Sequence, residues 1–431
     1  MRISVIGCGY LGAVHASAMA ELGHDVVGID VDAAKIERLS AGDPPFYEPG
    51  LSEVLGSAIA SGRLRFSTEI ADARGAQVHF VAVGTPQQER SDAADLSFVD
   101  AAFESLLPQL SPGDLVVGKS TVPIGTTAGL AERVEAAGAS LAWNPEFLRE
   151  GFAVHDTITP DRLVYGVRSE EAVRTLNQVY RAAVEAGTPV IVTDYATAEL
   201  VKVAANAFLA TKISFINAMA EIAEVTGADV TQLADALGHD ERIGRRFLNA
   251  GVGFGGGCLP KDIRAFSARA EELGRGASVG FLKEVDQINL RRRQRVVDLT
   301  LAELDGAVVG KKVAVLGLAF KPHSDDVRDS PALDVAVQLF GRGVNVVATD
   351  PQAIENARRL QPQLSYTTSL EAALSGADAV VLVTEWPEFR AVDPERAAAL
   401  VRTRTIIDAR NSLDPGLWRS AGWTYRGLGR R

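Results

Sequence analysis

The sequence predicts an α/β protein with three parts. These are a doubly wound, Rossmann-type unit at the N-terminus, a central long-helix unit and a smaller Rossmann-like α/β unit at the C-terminus. Three observations predict it. Short apolar runs alternate with helical patterns over residues 1–195, one uninterrupted helical stretch follows, and the strand, turn, helix, strand plan then returns. A chain of 431 residues suggests about three domains. The expected divisions are 1–195, 196–304 and 305–431.

Arg2 to Ile6 reads as the first strand. Gly7-Cys8-Gly9-Tyr10-Leu11-Gly12 is a turn, and a helix follows through Leu22, stopped by Gly23. His24 to Ile29 is a second strand, closed by Asp30. Further strands are expected at Gln77 to Val83, Leu115 to Gly118 and Leu141 to Trp143. Ala196 to Thr226 breaks the alternation. It is rich in Ala, Leu and Ile, lacks Gly and Pro, and reads as one long helix stopped by Gly227. Helical pattern continues to Leu304, interrupted by the glycine-rich run Gly251 to Cys258. Strands at Val313 to Leu318 and Val344 to Thr349 then flank a helix from Pro331 to Phe340. Ala379 to Val383 and Thr405 to Ile407 extend this last unit. Its first turn, Gly317-Leu318-Ala319-Phe320, lacks the glycine triplet, so a different ligand is expected there.

Composition narrows the function. Apolar residues make up 47% and charged residues 23%, the balance of a folded globular chain. The net charge is −11 with no long basic run, which argues against nucleic-acid or anionic-membrane binding. No uninterrupted apolar run approaches a membrane span, and Met1 to Gly12 reads as strand and turn rather than as a signal peptide. The two cysteines, Cys8 and Cys258, form no disulfide framework and fit a reducing cytoplasm.

Gly7-x-Gly9-x-x-Gly12 follows a strand and opens a helix, with Asp30 closing the next strand. That context points to a dinucleotide site, the glycines letting backbone N–H groups approach a pyrophosphate. An acid at position 30 would accept from a ribose diol and repel a 2′-phosphate, which favours NAD over NADP. Cys8, at a free position of the turn, reads as a packing residue. Cys258 precedes Pro260 at an expected helix start, where the dipole lowers a thiol's pKa. Lys261 adds charge, and Asp262 is four residues on. This pattern suits a covalent thiol, although an inert buried cysteine has the same spacing. Lys202 and Asn206 share one face of the long helix. Taken alone, such a lysine is ordinarily a solvated charge, and Glu146 and Glu150, just past a strand end, are ordinarily structural.

Together these segments resemble the nucleotide-sugar 6-dehydrogenases of the UDP-glucose/GDP-mannose dehydrogenase family, most closely its UDP-glucose branch. The matching stretches include the Gly7 to Gly12 turn, Val83-Gly84-Thr85-Pro86, Lys119-Ser120-Thr121-Val122-Pro123, Asn144 to Gly151, Asn206 to Lys212, Arg242-Ile243-Gly244, the run through Cys258-Leu259-Pro260-Lys261-Asp262, Ala319 to Pro322 and Asp408 to Asn411. The resemblance implies oxidation of a UDP-glucose C6 alcohol to the carboxylate. Cys258 would carry a thiohemiacetal and a thioester, with two NADH formed. It implies that Lys202 and Asn206 support the oxyanion, that Asp262 moves protons or a water, and that Glu146 and Thr121 serve hydrolysis. NAD would meet Gly7, Gly9, Tyr10, Leu11, Gly12, Asp30, Lys35, Thr85, Pro86, Thr121, Glu150, Lys261 and Arg328. The nucleotide sugar would meet Phe147, Leu148, Arg149 and Glu150, then Lys202 and Asn206. Phe247, Leu248, Asn249, Ala250, Gly251 and Gly255 would line its site, with Lys321 and Arg410 on the UDP part. Arg242 would reach a partner subunit's substrate, implying a homodimer or larger homo-oligomer. The Leu-Pro-Lys-Asp run also suits GDP-mannose enzymes, whereas Pro160-Asp161-Arg162 suits the UDP-glucose branch. GDP-mannose or a UDP-N-acetylhexosamine therefore stays open as substrate. A two-electron 3-hydroxyacid dehydrogenase is a more distant alternative.

Overall fold

The computed structural model describes residues 1–306 and 308–430 and divides into two compact units, 1–205 with 268–276 and 206–267 with 277–431. The first unit is built on an eight-stranded sheet. Its strands are β1 (Arg2–Ile6), β2 (Asp25–Ile29), β3 (Leu64–Ser67), β4 (Val78–Val81), β5 (Leu115–Gly118), β6 (Ser140–Trp143), β7 (Leu163–Val167) and β8 (Val190–Thr193), in the order β3-β2-β1-β4-β5-β6-β7-β8. All neighbours are parallel except β6 and β7. The strands β1 and β4 to β6 are nearly continuous runs of buried residues, as a sheet covered on both faces requires. The order reverses between β1 and β4, which is where an open α/β sheet holds its ligand.

The second sheet repeats the plan with β9 (Lys312–Leu316), β10 (Asn345–Thr349), β11 (Ser365–Tyr366), β12 (Ala379–Leu382), β13 (Thr405–Asp408) and β14 (Thr424–Gly427), ordered β11-β10-β9-β12-β13-β14 and fully parallel. Every strand expected from the sequence forms, most trimmed by a residue or two. The strands β3, β7, β8, β11 and β14 are not among those the sequence predicts. The edge strand β8 buries little although its residues Val190 to Val192 are apolar and β-branched: Ile191 and Val192 are exposed.

The long helix forms over Tyr195–Thr226, with the helices Val230–Gly238, Leu259–Glu272 and Phe281–Glu303 after it. Length and composition alone would let Tyr195–Thr226 cross a membrane. Its polar residues are instead bonded within protein. Glu199 accepts N–H bonds from Gly125 and Thr127, Ser214 donates to the Val285 carbonyl, and Asn217 accepts from Gly251.

Candidate active site

In the first unit, the glycine turn has the shape a pyrophosphate needs. Gly7 has φ +90°, and a side chain on Gly12 would sit 1.7 Å from the Gly7 carbonyl oxygen. A side chain on Gly9 would meet nothing, so the space over that backbone is open. Gly9 caps the helix Tyr10–Glu21, whose first N–H groups, that of Leu11 among them, are free of intrahelical partners. Asp30 ends β2. Its Oδ2 accepts the Cys8 N–H at 2.8 Å and pairs with Lys35 at 2.9 Å. Lys35 therefore sits at the ribose end of the expected site. Thr85 donates to the Thr121 carbonyl at 2.9 Å and Ser120 to that of Val83 at 2.7 Å, tying the exits of β4 and β5 together. Pro86 is exposed beside them.

The loop after β6 carries the expected substrate residues. Glu146 Oε1 accepts the N–H groups of Phe147 and Leu148, and Oε2 pairs with Lys119 at 2.9 Å. Lys119 is buried, and also donates to Asn144 at 3.1 Å and to Tyr180 at 3.3 Å. Burial pushes the Glu146 carboxyl up, but Lys119 and the two loop N–H groups together hold it below its usual value. Phe147 presents its ring to two cations, Arg162 at 3.9 Å and Lys202 at 5.4 Å. Arg149 forms a two-pronged pair with Asp156 and is half exposed. The charge of Glu150 acts on the Tyr10 hydroxyl. Glu48 and Tyr180 were missed by sequence reasoning, and Lys119 and Arg162 stood in matching stretches without an assigned role. The one usable signal was Glu48 in an apolar, proline-flanked run, Pro45-Phe46-Tyr47-Glu48-Pro49.

In the second unit, Cys258 is exposed and its carbonyl accepts the Asp262 N–H at 2.9 Å, so it caps the helix Leu259–Glu272. The helix dipole there favours a thiolate. Asp262 is 2% exposed, with Oδ1 on Lys261 at 2.6 Å and Oδ2 on the Asn206 amide at 2.6 Å. One Asn206 N–H thus goes to Asp262 and the other remains. Lys261 faces Asp262 here rather than standing clear for a phosphate.

The glycine run behaves differently from expectation. The resemblance places Gly251 and Gly255 against the nucleotide sugar, yet here the protein's own atoms lie close against these glycines. A side chain on Gly251 would meet the Ala409 carbonyl oxygen at 2.7 Å, on Gly253 the Asn289 amide at 2.2 Å, and on Gly255 the Asp329 carbonyl oxygen at 2.2 Å. On Gly256 it would meet the Phe320 ring at 2.7 Å, and on Gly257 the Arg328 guanidinium at 2.4 Å. Arg328 also pairs with Asp326. Arg410 donates to the carbonyls of Val383, Gly253 and Phe320 at 2.7, 2.8 and 3.0 Å, clamping this run to the exits of β9 and β12. Lys321 stands over the Phe320 ring. Leu248 and Ala250 are buried, Asn249 accepts from Arg245 at 2.8 Å, and Phe247 is exposed at φ +66°. Arg242 projects into solvent, its side chain 89% exposed and paired with Asp240.

A glycine turn closed by an acidic strand end in one unit, and a helix-capping thiol above a bonded carboxylate in the other, define a dinucleotide-dependent dehydrogenase. Comparison with known proteins narrows the class. Residues 1–184 match the NAD binding domain of the UDP-glucose/GDP-mannose dehydrogenase family, 196–291 its central domain and 314–415 its UDP binding domain. The chain belongs to that family. A UDP-glucose 6-dehydrogenase of Rhizobium meliloti is 41% identical over the whole of both chains. A UDP-glucose dehydrogenase structure from Pyrobaculum islandicum is 41% identical with a TM-score of 0.89, covering 100% of this chain and 98% of that one. A UDP-D-ManNAc dehydrogenase structure from Pyrococcus horikoshii is 29% identical with a TM-score of 0.86, covering 100% and 99%.

Proposed function

We propose that this protein oxidises the C6 alcohol of UDP-glucose to the carboxylate of UDP-glucuronate, passing four electrons to two NAD⁺. The observation that carries the chemistry is Cys258 capping a helix one turn before Asp262, whose carboxylate is held by Asn206 and Lys261. Full-length identity of 41% to curated UDP-glucose 6-dehydrogenases supports the substrate. The open space over Gly9 and the Asp30–Lys35 pair fit NAD, which when bound supplies the hydride acceptor.

The alcohol proton leaves as C6 gives up a hydride, and Lys202 stabilises the developing alkoxide. The Cys258 sulfur bonds to the aldehyde carbon, and the carbonyl oxygen takes a proton to give a thiohemiacetal. Loss of that hydroxyl proton and a second hydride leaves a thioester. Water then breaks the C–S bond, returning the thiol and the acid. The remaining Asn206 N–H supports the oxyanion, and Asp262 accepts or returns protons. Glu146 as bonded here is a weak base, because a useful base titrates near the working pH. It holds the Phe147–Leu148 backbone for substrate, and serves the hydrolysis with Thr121 once Lys119 releases it.

The thiol makes the scheme testable. Cys258→Ser should stop acid formation and accumulate an aldehyde-level or covalent species, and wild type should yield two NADH per UDP-glucose. Normal acid formation by the variant, or one NADH per sugar, would overturn the covalent step. A nucleotide-sugar panel compared by kcat/KM tests the donor; preference for GDP-mannose or a UDP-N-acetylhexosamine would replace it.

A homodimer belongs to the same proposal. The helix Tyr195–Thr226 leaves Leu200, Phe208, Phe215 and Ile222 exposed at spacings that form one apolar stripe. A second copy would cover that stripe and receive Arg242. Two cysteines outside any disulfide suit the cytoplasm as its compartment.

A further inference from the structure

Glu48 lies outside every motif that marks the reaction, yet it is 5% exposed and takes three donors. Its Oε2 accepts the Tyr10 hydroxyl and, at 2.6 Å, the Gly151 N–H; its Oε1 accepts the Ala153 N–H at 2.7 Å. Tyr10 opens the helix that follows Gly9, where a pyrophosphate would sit. Gly151 ends the loop that carries Glu146 to Glu150. The same pieces share an apolar cluster: Val14, Leu51 and Ala153 are buried, with Tyr10, Phe46, Leu148 and Val154 packed against them. Either end can therefore move alone only by breaking a buried, charge-assisted bond and opening that cluster.

We propose that Glu48 is a positioning residue that couples the two ligands, one buried carboxylate fastening the helix of the dinucleotide turn to the end of the substrate loop. This rests on the functional reading above. Dinucleotide at the turn then presets the loop for the nucleotide sugar, and linkage makes the effect reciprocal. The contiguous bonds and packing supply the physical connection.

The test uses the reaction products, NADH and UDP-glucuronate, so that no turnover intervenes. Full-length protein is titrated with NADH, followed by its fluorescence, with and without saturating UDP-glucuronate. In wild type, UDP-glucuronate should tighten NADH about fivefold or more, a usual size for such coupling. Glu48→Gln keeps the shape and removes the charge, and should bring that ratio below about twofold while both ligands still bind. A purely structural Glu48 would weaken both affinities and leave the ratio unchanged, which overturns the proposal, as does a wild-type ratio of one. If Glu48→Gln does not fold, Tyr10→Phe removes one bond and leaves Gly151 and Ala153 held; its ratio must also fall, and an unchanged ratio overturns the coupling. Failure of wild type to bind either ligand would instead refute the reading of the site, and the coupling with it.

Discussion

The two α/β units open with turns that share one scaffold and differ in what they leave free. Gly7 and Gly317 both adopt left-handed φ, +90° and +109°, and both donate to the end of the next strand, Ile29 at 2.8 Å and Thr349 at 2.9 Å. In each, an Asp just beyond that strand accepts from the turn: Asp30 from Cys8, and Asp350 from Leu318 and Ala319. Each also accepts the N–H two residues on, Asp30 from Asp32 at 3.0 Å and Asp350 from Gln352 at 2.9 Å. There the likeness stops. Asp350 further accepts from Trp386 Nε1 and Ala353, so its carboxylate is consumed inside the protein. Asp30 pairs with a partly buried lysine, and the glycine two residues after Gly7 faces open space. An acid at a strand end is thus no ligand signal by itself. What separates a ligand reader from a turn lock is the number of internal donors it already satisfies.

Four changes would break or sharpen that contrast. Asp350→Ala strands several buried donors and should cost about 4 kcal/mol of stability by denaturant unfolding. A loss under about 1 kcal/mol would remove the lock. Asp30→Ala should instead act on ligand choice, shifting the NAD/NADP ratio of kcat/KM at least about tenfold with a smaller stability loss. An unchanged ratio would make the two acids equivalent. Gly317→Ala and Gly9→Ala form the second pair. The first places a side chain 2.4 Å from the Thr384 Cβ at φ +109° and should lower Tm clearly. The second, at φ −67° in open space, should leave Tm near wild type while raising the NAD KM several-fold.

The smallest effect is on pH. Burial lowers the pKa of His15, His24 and His79, all in the first unit; the charge of Lys119 lowers His15 further, and Asp114 partly opposes the shift at His79. Groups lowered on folding bind fewer protons in the native state, so stability should fall as pH drops below about 6.5. Burial raises Asp408 in the second unit, so it charges at a cost that acidification relieves. Hydrogen exchange at pH 7.5 and 5.5 should therefore weaken protection mainly in residues 1–205. Equal loss in both units would contradict this.

Much of this was legible in the chain. Apolar runs located most of the inner strands because parallel strands there are buried on both faces. The edge strands β3, β8, β11 and β14 and the strand β7 escaped that signal. The absence of Gly and Pro marked the long helix. The Gly7 to Gly12 turn and Cys258 were legible because turn shape and helix capping are local. Glu48 was not, nor were the roles of Lys119 and Arg162, since these act through partners distant in sequence: Glu48 reaches Gly151 and Lys119 reaches Tyr180. The glycine run was visible, but not what it accommodates. Sequence shows that something must approach closely, and only the fold shows that Asn289, Phe320 and Asp329 do so.

The two sulfurs give the molecule a built-in control for inhibitor work. Cys8 is sealed, and burial followed by the Asp30 charge pushes its thiol well up, so it stays protonated. Cys258 stands in solvent at a helix start. A mild electrophile should therefore add one equivalent per chain, countable by intact mass, and serve as a stoichiometric titrant of competent subunits.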